Sequence, residues 1–163
     1  EQEKTKDFKG TIIVGDSRTA NIEDRLHHFG IDKVQFVIYH PPYWDIIKFS
    51  DNEKDLSNCG SIEEFNQSFG EVIDNTSKYL EKNRYCACVI GDKYANSEIV
   101  PLGFYCMNLF LSRGFKLKAI LVKNFEDTKG KSNQKAIWRY RALASDFYLF
   151  KHEYIFVFKK VKK

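Results

Sequence analysis

Val34-Gln35-Phe36-Val37-Ile38-Tyr39-His40-Pro41-Pro42-Tyr43-Trp44 carries an apolar run straight into a pair of prolines. A Pro-Pro pair cannot continue a central strand, because it offers no backbone N–H and has fixed φ. The strand over 34–38 must end there and project Tyr43 and Trp44 outward. In α/β proteins, ligands bind at the carboxyl ends of strands. Two aromatic rings held on a stiff turn at such an end are well placed to grip a flat substrate. Two of the chain's three prolines stand at this one corner.

Outward from the corner, strands and helices alternate. The apolar run 11–14 reads as a buried strand ending at Gly15-Asp16-Ser17. Residues 21–29 read as a short helix stopped by Gly30. The stretch 43–60 is a long polar loop, a kind of segment that often carries function. Ser61 with Glu64 forms a capping-box pattern. It opens a helix running to about residue 82, with Ile62, Phe65, Phe69, Val72, Ile73 and Leu80 on its apolar face. A third strand, 85–90, ends at Gly91-Asp92. A helix over 101–112 is closed by Gly114, and 117–122 is the fourth strand. Runs at 147–150 and 154–158 close the chain as strands. This alternation predicts an α/β fold, a mainly parallel sheet with helices on its faces. The last two runs have no helix between them, which predicts an antiparallel edge strand. No repeat, low-complexity tract or linker divides the chain, so 1–163 reads as one domain.

A chain of 163 residues, 43% of them apolar, can bury a substantial core. No apolar run is long enough to cross a membrane, and the charged start Glu1-Gln2-Glu3-Lys4 resembles no secretion signal. Cys59, Cys86, Cys88 and Cys106 lack CxxC spacing, and Cys86 and Cys88 alternate onto one strand face. They read as small buried hydrophobes in a reducing cytoplasm, with no metal site and no disulfide. Net charge is +4, but from Lys116 onward thirteen cations face four acids. That asymmetry suits either a polyanion partner or a solvated surface.

His40-Pro41-Pro42-Tyr43 resembles the [Asp/Asn/Ser]-Pro-Pro-[Tyr/Phe/Trp] signature of S-adenosylmethionine-dependent DNA amino-methyltransferases, which modify N6 of adenine or N4 of cytosine. The resemblance extends from Gly10 to Lys160. Gly15-Asp16-Ser17, a helix and a strand precede the turn, and Gly91-Asp92 follows the next strand. Gly114-Phe115 leads into a later strand, and His152-Glu153-Tyr154-Ile155-Phe156-Val157-Phe158-Lys159 is similar to the family's closing strand. The resemblance implies a Rossmann-like methyltransferase three-layer sandwich, mostly parallel with an antiparallel edge strand, or an incomplete version of one. It implies S-adenosylmethionine as cofactor, DNA as partner, and a place in DNA methylation or restriction-modification.

The chemistry fits the residue types at the turn. An exocyclic amine is a poor nucleophile, because its lone pair is delocalised into the ring. An acceptor at position 40 and the Pro41 carbonyl can each bind one amine hydrogen, turning the lone pair toward an incoming methyl. Pro42 stiffens the turn, and Tyr43 can stack on an extruded base. Trp44 either extends that wall or packs beneath it. By resemblance, Asp16 and Ser17 are candidate cofactor contacts; Asp16 alternatively caps the helix that starts near Asn21. Between residues 123 and 141, Lys129, Lys131, Lys135, Arg139 and Arg141 are interleaved with Phe125, Trp138 and Tyr140. Of these, Lys129, Lys131, Lys135, Trp138, Arg139 and Arg141 are candidate contacts to phosphates and bases.

Two departures from the family pattern matter. Position 40 holds histidine, which accepts a hydrogen bond only when neutral. The chain also contains no Gly-x-Gly, whereas the family binds its cofactor with a Phe-x-Gly-x-Gly loop. Phe69-Gly70 lies within a helical pattern and reads as a packing site. The expected activity is methyl transfer to an adenine or cytosine amine of DNA. The rival readings are a non-catalytic or split-enzyme subunit that needs a second chain or segment carrying the glycine loop, and an RNA or protein methyltransferase.

Overall fold

The computed structural model describes residues 10, 12–95, 98–124, 140, 143–144 and 151–161. Its main sheet has four strands: β1 (Val34–Tyr39), β2 (Leu80–Ile90), β5 (Phe115–Asn124) and β6 (His152–Lys160). They lie in the order β1-β2-β6-β5. β1 pairs parallel with β2, while β6 runs antiparallel to both β2 and β5. Three strands therefore point one way and one opposes them, as an α/β fold with mostly parallel strand directions requires. The opposed strand lies between β2 and β5 rather than at the edge, because its apolar residues complete the ladder on both sides. A short hairpin, β3 (Lys93–Ala95) with β4 (Glu98–Val100), follows β2.

Helix α2 (Ile62–Ser77) starts where the capping box places it. The Ser61 hydroxyl accepts from the Glu64 N–H at 3.1 Å, and the Glu64 carboxylate reaches back to the Gly60 N–H at 2.8 Å. The helix ends at Ser77, earlier than its apolar spacing suggests. Leu80, expected on its face, instead begins β2 and is buried there. α2 and α3 (Leu102–Ser112) cover one face of the sheet. Phe65, Phe69, Ile73, Leu102 and Phe110 are buried there with Tyr39, Cys86, Cys88, Phe156 and Phe158. Gly70 is a packing site: a Cβ there would collide with the Arg113 guanidinium, and Arg113 is paired with Asp74.

Two expectations change. Ile12, Ile13 and Val14 form no strand among the described residues and are exposed. Their β-branched side chains favour a strand, but a strand also needs a neighbour to pair with. The expected run at 147–150 lies outside the described residues. The third layer is also missing among the described residues: Phe36, Ile38, Tyr85 and Leu121 are exposed, although their registers place them on the face away from α2 and α3. The fold is thus a partial Rossmann-like sandwich. The short helix α1 (Glu23–His28) buries no residue.

The cysteines are free and buried. Burial pushes the Cys86 thiol up to about 12. A hydrogen bond with Cys106, together with burial, pushes Cys88 well above the ordinary thiol range. Among the described residues no three ligating side chains gather to hold a metal ion. No helix among them is long and apolar enough to cross a membrane.

Candidate functional site

Strand direction decides what meets at the proline corner. The carboxyl ends of β1, β2 and β5 and the amino end of β6 lie at one end of the sheet. Tyr39 pairs with Cys88, Ile90 with Tyr154, and Lys123 with Glu153. The corner therefore faces Gly91-Asp92 and the start of β6, although 110 residues separate Tyr43 from Glu153 in the chain.

At the corner Tyr39 is buried and Pro41 is buried, while His40 is exposed and Pro42 and Tyr43 are half-buried. The Tyr39 hydroxyl accepts from the Thr76 hydroxyl at 2.8 Å, which anchors the strand end to α2. His40, Pro41, Pro42, Tyr43, Ile46, Ile47 and Phe49 line a cavity of about 390 Å³. That volume lies in the range of small-molecule sites. The lining is largely apolar and aromatic, with the His40 imidazole and the Tyr43 ring among its side chains. The 6.1 Å between the His40 and Tyr43 ring centroids leaves the two side chains side by side on the wall.

Tyr43 is held from two sides. Its hydroxyl donates to Glu153 Oε2 at 2.5 Å, and its ring edge lies against Gly91. The other carboxylate oxygen of Glu153 accepts from Lys123 Nζ at 2.8 Å. Burial pushes the Glu153 carboxyl upward, but the hydrogen bonds from Lys123 and Tyr43 outweigh it, so the group sits below the usual carboxylate range. Burial and the adjacent carboxylate push the Tyr43 phenol up, so it stays protonated and donates. A Cβ at Gly91 would lie 2.8 Å from Tyr43 Cε2. Gly91→Ala is accordingly expected to displace the ring and to destabilise the fold by about 1–3 kcal/mol through overpacking. Urea denaturation checks this; an unchanged midpoint would show that the ring has room to move.

Trp44 has φ of 52°, an uncommon backbone conformation for a non-glycine residue. Its indole N–H donates to the Cys59 carbonyl at 2.8 Å, and the Lys93 ammonium lies 4.2 Å from its ring centroid. Lys93 is also ion-paired with Asp45. The structure packs Trp44 against the core cluster, and it is not among the residues lining the cavity. Of its two sequence readings, the one in which it packs beneath the turn agrees with this placement. Beside the corner, Asp92 accepts from the Gly103 N–H at 2.9 Å and so secures the start of α3.

Asp16 and Ser17 belong to a separate turn. Asp16 Oδ1 accepts from the Arg18 backbone N–H and from Nε, and Oδ2 accepts from Nη2, each at 3.0 Å. Those hydrogen bonds with Arg18 hold its carboxyl below the usual range. Asp16 does not cap α1; the Glu23 N–H goes to Asn21 instead. Ser17 is exposed, and its carbonyl accepts from Asn75. Lys129, Lys131, Lys135, Trp138, Arg139 and Arg141 lie outside the described residues.

Sequence reasoning assigned no role to Glu153, Lys93, Ile46, Ile47 or Phe49. A signal existed for Glu153, an acid opening an otherwise apolar strand. None existed for Lys93, whose partners come from a loop 48 residues earlier.

A family model described as DNA methylase, of N6 and N4 type, matches residues 34–163. Among solved structures, the chain resembles a Thermus thermophilus protein provisionally assigned as a DNA modification methylase. The TM-score is 0.57 at 20% identity, over 92% of this chain and 53% of that one. The structure of the same protein in complex with S-adenosyl-L-methionine matches with a TM-score of 0.57 at 19% identity, over 92% and 55% of the two chains. At such identities the likeness establishes the fold. The chain spans about half the length of that protein. No curated protein matches it.

Proposed function

The chain belongs to the DNA methylase family of N6 and N4 type, and from that membership we propose that its proline corner positions an exocyclic amine of DNA, on adenine or cytosine, for methylation. The observation that carries this is the open, apolar cavity beside an exposed His40 and a half-buried Tyr43.

S-adenosylmethionine, when bound, supplies a methyl group already activated on a sulfonium. What the chain contributes is positioning. Neutral His40 accepts one amine hydrogen and the Pro41 carbonyl the other. The nitrogen lone pair is then released from the ring and points out of its plane. Pro42 fixes the carbonyl, since its φ is locked. Tyr43 offers a ring to the base once it has left the duplex. When nitrogen gains the methyl it loses one proton, and a neutral imidazole beside the amine can take it. The basic stretch with Lys129, Lys131, Lys135, Arg139 and Arg141, together with Trp138, would meet phosphates and bases along the strand.

The described residues fit the amine side of this reaction and not the cofactor side. Both Asp16 oxygens are engaged by Arg18. Asp16 Oδ2 accepts only one of these bonds and keeps a lone pair for a cofactor hydroxyl, but no Gly-x-Gly occurs in the sequence. The missing glycine loop favours a second form of the reading, in which another chain or segment completes the cofactor site. Two measurements test the proposal. Tritiated methyl transfer to unmethylated duplex DNA, single strands and RNA should favour DNA. Calorimetry with S-adenosylmethionine should show binding if this chain carries the cofactor, and none if a partner does. Incorporation into RNA alone would overturn the DNA reading.

A further inference from the structure

We propose that Glu153 is a positioning residue of the base-binding corner, acting through Tyr43; this rests on the methyl-transfer reading above. Tyr43 is the ring offered to the base, and a tyrosine on a surface turn is free to rotate unless something fixes it. Here two independent contacts do so. The ring edge lies against Gly91, where even a methyl would collide at 2.8 Å. The hydroxyl is tied to a carboxylate whose side chain is only 7% exposed.

Glu153 can serve as an anchor because of where β6 runs. It is the antiparallel strand inside the sheet, so its first residues reach the end where the parallel strands finish. Lys123, the cross-strand neighbour on β5, holds the second oxygen and compensates the buried charge. The carboxylate is therefore fixed before a base arrives. A hydrogen bond to a charged acceptor is among the stronger ones, and a preset ring spares the ordering cost at binding. Glu153 touches neither base nor cofactor in this scheme, since it does not line the cavity.

The full chain with S-adenosylmethionine and unmethylated duplex DNA provides the test. Glu153→Ala removes both hydrogen bonds and could fail to fold, so the isosteric Glu153→Gln is the second variant. Gln removes the charge: its one acceptor is needed by Lys123, a donor only, and its amide can then only donate to the Tyr43 hydroxyl, which replaces the charge-assisted bond with a weaker, reversed one. Tyr43→Phe keeps the ring and removes the hydroxyl. Each single variant should lower kcat about tenfold with the KM for S-adenosylmethionine unchanged. The double variant, E153Q with Y43F, should be no worse than either single one, because both remove the same bond. Proton NMR supplies a readout independent of turnover: a downfield phenolic proton should appear in wild type and vanish in Tyr43→Phe. Losses that multiply to about a hundredfold, or the absence of that proton, would overturn the proposal while leaving the methylation reading intact. A wild-type chain that binds S-adenosylmethionine yet transfers no methyl to DNA overturns that reading and the proposal with it.

Discussion

Phe110→Ala is expected to lower the unfolding free energy by about 3–5 kcal/mol, the range for deleting a fully buried aromatic ring. Phe110 is completely buried at the junction of α3 and the sheet. Its ring stacks on Phe158 with centroids 4.4 Å apart, and meets Tyr39 and Phe115 edge-on at 5.1 and 5.5 Å. Phe69 closes the remaining side at 6.2 Å. Truncation would leave a cavity walled by rings from α2, β1, β5 and β6, and large rings on regular elements cannot collapse inward to fill it. Tyr39 is one of those walls, and it immediately precedes the proline corner. The loss should therefore reach the site as well as the core. Urea denaturation of Phe110→Ala beside Phe49→Ala checks this, because Phe49 is 66% exposed and should change stability far less. Equal shifts in the two variants would show that the aromatic cluster is not the centre of the core.

The corner, the capping box and the strands flanking the helices were all legible, because each is written within a few neighbouring residues. Pro41-Pro42 has one steric meaning, and Ser61 with Glu64 one hydrogen-bonding meaning. What stayed hidden depends on residues far apart. Glu153 reaches Tyr43 only because β6 inserts between β2 and β5, and periodicity carries no information about strand order. Nothing in the local sequence marks Lys93, which the hairpin brings over Trp44. The end of α2 was misplaced for a related reason. Leu80 continues the helical spacing of Ile73, and only its pairing with Val34 makes it a strand residue. At Ile12-Ile13-Val14 the local signal was strong and the partner was missing.

His40→Ala is expected to reduce methyl transfer about a hundredfold, the scale on which losing one preorganised hydrogen-bonding group at a reacting centre is felt. Stability should barely change, since the side chain is exposed at the cavity wall. The pH dependence gives the sharper test. Neutral imidazole accepts the amine hydrogen, whereas imidazolium has only donors. Acidification therefore removes the acceptor, and the rate should fall as pH is lowered and be retained as it is raised. His40→Asp replaces the imidazole with a carboxylate of the residue type the family uses at this position. It remains an acceptor until it is protonated at much lower pH. In this variant the acid limb should move toward lower pH, with turnover at neutral pH equal to wild type or above it. The comparison is made with initial rates of tritiated methyl incorporation across pH, at saturating S-adenosylmethionine and fixed ionic strength. If His40→Asp left the acid limb where wild type has it, the titrating group would lie elsewhere, and the imidazole would not be the acceptor. If His40→Ala transferred methyl as fast as wild type, the amine would be oriented without position 40. The Pro41 carbonyl and the ring of Tyr43 would then have to carry the positioning between them.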